Sequence, residues 1–454
     1  MRFRGLESYS GKSMGRVSQG PVRQCQRNEM RPSSARAAAG TYLFYPAIMA
    51  EGRRRGQGRA RNPGGGLFSY RFLLSRACSG LYTMCRYIHA ARRSASKGAF
   101  GRKAAKTGRN DPMPDILRTP VTDTSAWRPA DFPNPDAWTL TLTAGQIAEV
   151  ETALATIKAK GVDGPGFSRD EFPLPGLGPV LDEVYDEIQY GRGFQVIRGL
   201  TPDRYALDDL RMMLWGLGQY LGTGIIQNKQ GELIGSVMDH GEAAKGTDPY
   251  LSGVRFYRTS LDLPPHTDSC DVVGLMCVRK ARTGGESSVV SATAMYNEIL
   301  KTRPDLIEPL CDGFHVDISA KTGNMTDITT QRVPVFAYHE GLISCRYNKR
   351  QLELGAEKAG HPLTPKQQEA IDYFRDLSLR PDMKLVMDLE PGDFQILNNR
   401  TTLHAREEFH DHEEADRKRL LLRIWMITPE GRPVAPEMLN LLNTGPRGGV
   451  AATG

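Results

Sequence analysis

Pro264-Pro265-His266-Thr267-Asp268 sets an imidazole and a carboxylate two residues apart, and a second histidine, His404, follows 136 residues after Asp268. If the first segment is a strand, a spacing of two turns both of its side chains to one face and into one cavity. Two neutral imidazoles and one carboxylate make a facial triad, which leaves the other positions of an octahedral Fe(II) open, as an oxygen-activating iron requires. A His-x-Asp is common by chance, so its weight comes from its surroundings.

Fifteen residues past His404 comes Arg419, and four later Arg423, within Arg417-Lys-Arg-Leu-Leu-Leu-Arg-Ile-Trp425. On a strand, residues 419, 421 and 423 share a face. Two arginines there conflict with an apolar core unless an anion compensates them, and a guanidinium grips a carboxylate at two points. The other option is a surface strand with outward arginines and Leu420, Leu422 and Ile424 buried. Periodicity leaves both open.

The run Pro391-Gly-Asp-Phe-Gln-Ile-Leu-Asn-Asn-Arg-Thr-Thr-Leu-His404, then Arg419 and Arg423, resembles the C-terminal signature of the taurine dioxygenase (TauD/TfdA) family. Upstream, His266-Thr-Asp268 and Gly284-Gly285-Glu286-Ser287 resemble the family's other half-signature. These motifs, in order, cover about residues 190–430. The resemblance implies an Fe(II)- and 2-oxoglutarate-dependent dioxygenase that uses O2, oxidises a small organic substrate and releases succinate and CO2. It places iron on His266, Asp268 and His404, and the distal carboxylate of 2-oxoglutarate on Arg419. Ser287 stands where a family hydroxyl helps and where taurine dioxygenase has threonine. Arg423 stands where the taurine enzyme grips its sulfonate, or it braces the co-substrate instead. Related halogenases lack the iron carboxylate, so Asp268 favours hydroxylation or a similar oxidation. The rival reading is a non-catalytic metal-binding jelly roll, against which stand the intact ligands and Arg419.

The elements that must position these residues read as mainly β with flanking helices, and the resemblance implies a double-stranded β-helix (jelly-roll) core. Thr143 to Lys160 is a capped amphipathic helix stopped by Gly161, Leu177 to Tyr190 a second and Tyr205 to Leu221 a third. Gly193 to Arg198 reads as a buried strand. From about Gly224, short strand-like runs separated by turns dominate, among them Val254–Ser260, Val272–Lys280, Ser287–Ala292, Gly313–Ser319, Arg332–His339, Leu342–Asn348, Asp393–Asn399 and Arg419–Ile427. Helical insertions cover about Ala292–Leu310 and Thr364–Leu379. Many short strands point to a sandwich or barrel.

Charge divides the chain. Residues 1–112 hold 23 Lys and Arg against 4 Asp and Glu, a net of +19, whereas residues 113–454 carry −12. The leader is Arg-, Ser- and Gly-rich with no apolar period, so it cannot bury enough surface to fold alone. It reads as a dispensable extension before a dioxygenase domain at 113–454, in preference to a targeting leader or a nucleic-acid-binding arm. The four body cysteines, Cys270, Cys277, Cys311 and Cys345, form no CxxC pair and read as reduced, buried thiols of a cytoplasmic protein. No apolar run approaches a membrane span.

Other polar residues rank lower. His410-Asp411-His412-Glu413-Glu414 reads as a solvated loop. His240, Gln227-Asn228, and one face of the presumed strand holding Arg255 and Tyr257 or Arg258 are candidates for the pocket. Met212, Met213 and Trp215 read as helix core. No motif names the substrate or the oligomeric state.

Overall fold

The structure, a computed structural model, describes residues 116–241 and 256–452. The basic leader and Arg255 lie outside the described residues.

Two sheets carry the fold. The larger runs β1 (Thr139–Thr141), β2 (Phe194–Arg198), β12 (Phe394–Asn398), β6 (Val272–Arg279), β15 (Leu420–Ile427) and β3 (Thr223–Ile225), with β4 (Ile234–Val237) also paired to β15. The smaller runs β11 (Lys384–Met387), β8 (Ser287–Ser291), β13 (Thr402–Arg406) and β5 (Leu263–His266). Two short pairs, β9 (Phe336–His339) with β10 (Leu342–Cys345) and β7 (Thr283–Gly284) with β14 (Phe409–His410), complete it. All these pairings are antiparallel except β1 with β2. Chain order crosses between the sheets in the manner of a jelly roll.

The long strand β15 shows why the core closes. Leu420, Leu422, Ile424 and Met426 pack with residues of helices α1 (Ala144–Ala159), α2 (Leu177–Tyr190) and α3 (Leu207–Gly218), such as Val150, Leu181 and Leu214. Leu421 and Trp425 point the other way, into a core shared with Val289 and Leu403 of the smaller sheet. Both faces are therefore buried. The choice left by periodicity resolves with the leucine face under helices and the face of Leu421, Arg423 and Trp425 between the sheets. The second core continues through α4 (Ala292–Thr302), α5 (Ile307–Cys311), α7 (Lys349–Lys358) and α8 (Pro365–Ser378); the single turn α6 (Ser319–Thr322) precedes α7.

Local signals explain most boundaries. The Thr143 hydroxyl accepts from the Gln146 amide and the Gln146 side chain accepts from the Thr143 amide, a reciprocal cap that starts α1. Pro304 splits the expected helix over Ala292–Leu310 into α4 and α5. Three expectations need correction. The run Val254–Ser260 is not a strand where it is described: Phe256–Arg258 is a turn of 3-10 helix. Gly313–Ser319 makes only isolated bridges, Phe314 with Val333 and Asp317 with Ile328. The third concerns the His-x-Asp segment, since β5 ends at His266 and leaves Asp268 beyond the strand. Its prolines, 264 and 265, are tolerated because β5 is an edge strand.

The four body cysteines are free and buried. Among the described residues no helix is long and apolar enough to cross a membrane.

Candidate metal centre

His266 and His404 face each other directly across the β5–β13 pairing. Opposed residues of an antiparallel pair share a face, and the two rings lie with centroids 4.3 Å apart. Asp268 reaches the same place from the turn after β5. That turn is pinned by the Thr267 amide donating to the Tyr347 carbonyl at 2.8 Å, the Arg346 guanidinium donating to the Thr267 carbonyl at 2.8 Å, and the Asp268 amide donating to Asn399 Oδ1 at 3.0 Å. The geometry comes from anchored backbone, not from strand alternation.

Asp268 Oδ1 is 3.9 Å from His266 Nε2, and Oδ2 is 3.8 Å from His404 Nε2. One ligand atom from each of the three residues lies within 4.8 Å of the others, the only such trio of metal-binding side chains among the described residues. Cis ligands with bonds near ~2.1 Å sit about 3 Å apart, so binding a metal needs each Asp268–His contact to shorten by about 1 Å and no pair to shorten by more than about 2 Å. Protonation suits it as well. His266 Nδ1–H donates to the Pro264 carbonyl at 2.9 Å, which keeps the proton on Nδ1 and leaves the Nε2 lone pair toward Asp268. Burial depresses both histidines, His404 to about 3, with His266 beside it adding to the effect. Burial works the other way on Asp268, raising its carboxyl, but Arg423, His404, His266 and Lys321 outweigh it and keep the group ionised. Two neutral imidazoles and a carboxylate is the donor set an open-sited Fe(II) takes.

Two groups that sequence reasoning missed or left open hold the carboxylate. Trp425 Nε1 donates to Asp268 Oδ2 at 2.9 Å. Arg423 Nη1 donates to the same oxygen at 3.3 Å, its Nε donates to Gln227 Oε1 at 2.8 Å, and its guanidinium lies over the rings of Tyr257 and Trp425. Gln227 and Tyr257 thus join the site, whereas His240 is exposed and stays out of the cavity wall. Period two from Arg423 pointed at Trp425, but an indole in an apolar run looks like core.

Arg419 precedes β15 and is buried, with Nη2 donating to the Gly285 carbonyl at 3.2 Å. The Gly-Gly pair makes this approach possible: Gly284 and Gly285 have φ of 76° and 82°, and a Cβ on Gly285 would meet Arg419 Nε at 2.9 Å. Ser287 is buried, and its hydroxyl donates to Gln395 Oε1 at 3.3 Å. The acidic loop is no second metal site, since Asp411 accepts the Arg419 amide at 2.7 Å and His410 is exposed.

A cavity of about 610 Å³ opens onto His266 and Asp268, walled also by Tyr257, Lys321, Tyr347, Arg350 and Arg423. The wider groove of about 790 Å³ around Glu149, Arg169 and Tyr220 is built from other residues.

The sequence model of the taurine catabolism dioxygenase TauD, TfdA family matches residues 159–425. The chain is 30% identical over 323 residues to FR-33289 synthase of Streptomyces rubellomurinus, covering 70% of this chain and 94% of that protein. It is 31% identical over 322 residues to the taurine hydroxylase-like protein SAT17 of Stachybotrys chartarum, covering 68% and 80%. A solved structure of asparagine oxygenase with Fe(II), hydroxyasparagine and succinate aligns at 18% identity and a TM-score of 0.49, covering 64% of this chain and 94% of that one. The chain belongs to the taurine catabolism dioxygenase TauD, TfdA family, and is an oxidoreductase that uses iron, 2-oxoglutarate and O2.

Proposed function

We propose that residues 113–454 form the catalytic unit of a cytoplasmic dioxygenase in which His266, Asp268 and His404 hold the Fe(II). The observation that carries this reading is the compact trio of two neutral imidazoles and one ionised carboxylate. Bound there, Fe(II) supplies the oxidative decarboxylation of 2-oxoglutarate with O2, to succinate and CO2, coupled to oxidation of the substrate. The protein's own part is positioning. Pro264 fixes the His266 tautomer, while Trp425 and Arg423 fix the orientation and charge of Asp268. All three ligands are buried, which limits water at the reacting centre.

Arg419 takes the distal carboxylate of 2-oxoglutarate in this reading, with the Ser287 hydroxyl as helper once it turns from Gln395. Arg423 belongs with the substrate side, because it walls the cavity and is already engaged with Asp268 and Gln227. The substrate is a small organic anion. A cavity of about 610 Å³ is of small-molecule size, and six Lys and Arg line it against Asp268, Asp317 and Glu353, with Lys349, Lys358 and Arg375 already paired to Asp372, Asp317 and Asp376 and Lys321 and Arg423 beside the metal ligands. Four buried free thiols suit the reducing cytoplasm.

The test is anaerobic addition of Fe(II) and then 2-oxoglutarate, watching for the visible metal-to-ligand charge-transfer band of the chelate. The band should form in the wild type and vanish in His266→Ala, and succinate release then screens small anions as substrates. A folded protein that binds iron without giving the band would instead be the non-catalytic metal-binding jelly roll.

A further inference from the structure

Arg406 has no role in the site as described so far, yet it is one of the most confined charges in the protein. It lies on β13 two residues past His404, so the two side chains share a face, and it pairs across the sheet with Ser287. It is 6% exposed, and its Nη2 donates to the Leu261 carbonyl, while Nε and Nη1 are buried with no hydrogen-bond partner. Arg419 is 4% exposed, and its Nη1 is buried and unpartnered in the same way. Both guanidiniums lie against one ring, that of Phe409, at 4.8 Å and 5.0 Å from its centroid.

Two buried cations beside one aromatic ring, with three unpartnered guanidinium nitrogens between them, demand an anion. Among the described residues no carboxylate forms an ion pair with either guanidinium: Asp411 accepts the Arg419 backbone amide, and Asp411 and Glu286 act on Arg419, as Asp262 and Asp239 act on Arg406, only at longer range.

Length identifies the anion. A two-residue step along a strand covers about 6.6 Å, and the four C–C bonds of a five-carbon dicarboxylate span about 5 Å end to end. A molecule held by a metal on His404 would therefore reach Arg406 with its far end if it lay along β13. We infer that Arg406 and Arg419 together clamp the distal carboxylate of 2-oxoglutarate, with Phe409 as the plate that aligns the two guanidiniums. This rests on the proposed iron and 2-oxoglutarate chemistry of the same site. The clamp also makes the site selective for a dicarboxylate, because a 2-oxo acid with an uncharged tail leaves both arginines buried without their anion.

The test uses the full chain loaded anaerobically with Fe(II) and titrated with 2-oxoglutarate, following the charge-transfer band, with iron affinity measured separately by chelator competition. Arg406→Met should weaken 2-oxoglutarate binding by about 10- to 100-fold, the loss of charge-assisted hydrogen bonds, with iron affinity unchanged. Arg406→Lys keeps the buried charge and so protects the fold, but it loses the two-point fork. It should bind 2-oxoglutarate about fivefold or more weakly. Wild-type 2-oxoglutarate affinity in either folded variant overturns the clamp and leaves the iron assignment standing. Absence of the band in the wild-type protein overturns both together.

Discussion

Trp425→Phe isolates one hydrogen bond in the metal centre. Trp425 is fully buried between the sheets, and its indole N–H reaches Asp268 Oδ2 at 2.9 Å. A hydrogen bond to a charged acceptor contributes ~1.5–3 kcal/mol. Arg423 remains on the same oxygen at 3.3 Å, so the loss belongs at the lower end of that range. Removing an outer partner of a metal ligand typically weakens metal binding by about 10–100-fold, and for this residue about 10–30-fold is expected. The smaller ring also leaves a void in the inter-sheet core that costs roughly 1–3 kcal/mol of stability. The two effects separate cleanly: anaerobic competition against a chelator reads Fe(II) affinity in folded protein, and urea unfolding of the metal-free protein reads stability. Fe(II) affinity within twofold of wild type in a folded variant would refute the idea that Trp425 orients the carboxylate.

Replacing either imidazole, in His266→Ala or His404→Ala, should abolish tight Fe(II) binding while the fold survives; a retained stoichiometric iron signal would move the metal elsewhere. Removing residues 1–112 should leave turnover and solubility intact, and loss of succinate release with iron binding preserved would give the leader a role in catalysis. Acid should destabilise the metal-free protein through the buried imidazoles. Both have folded values below the unfolded one, so their contribution is complete above about pH 6.5 and is lost as pH falls, by about 1.4 kcal/mol per histidine for each unit, with the folded value of His404 lying at about 3. Urea midpoints at pH 7.5 and pH 5.5 should therefore diverge less in His404→Asn than in the wild type, and equal divergence would show that His404 is protonated in the fold.

Much of the architecture was legible because burial pattern and capping are local. The reciprocal cap at Thr143, the strand over Val272–Arg279 and the helix Leu177–Tyr190 follow from residues a few positions apart. Misreadings fell where local signals and tertiary role conflict. The strand Thr402–Arg406 is buried at every position, yet histidine, threonine and arginine occupy three of them because its inward face builds the site, so it carries no apolar signature. Phe256–Arg258 reads as a strand from its aromatics and turns instead, bringing Tyr257 over Arg423.

For the site itself, the sequence determined which residue types were available and their order: an imidazole–carboxylate pair, a distant second imidazole, a Gly-Gly turn and two arginines four apart. Those types already restrict the chemistry, because neutral nitrogen and anionic oxygen donors select the metal class. Tertiary structure decided which of them meet. His404 pairs with His266 across strands 138 residues apart, Asp268 arrives by an anchored turn, and Trp425 and Arg423 come from the facing sheet. Arg406 shows the division most clearly. In the sequence it is one arginine among many, and only the closing of two sheets strips its water and leaves its Nε and Nη1 without partners, because desolvation is a property of the packed whole and of no local run of residues.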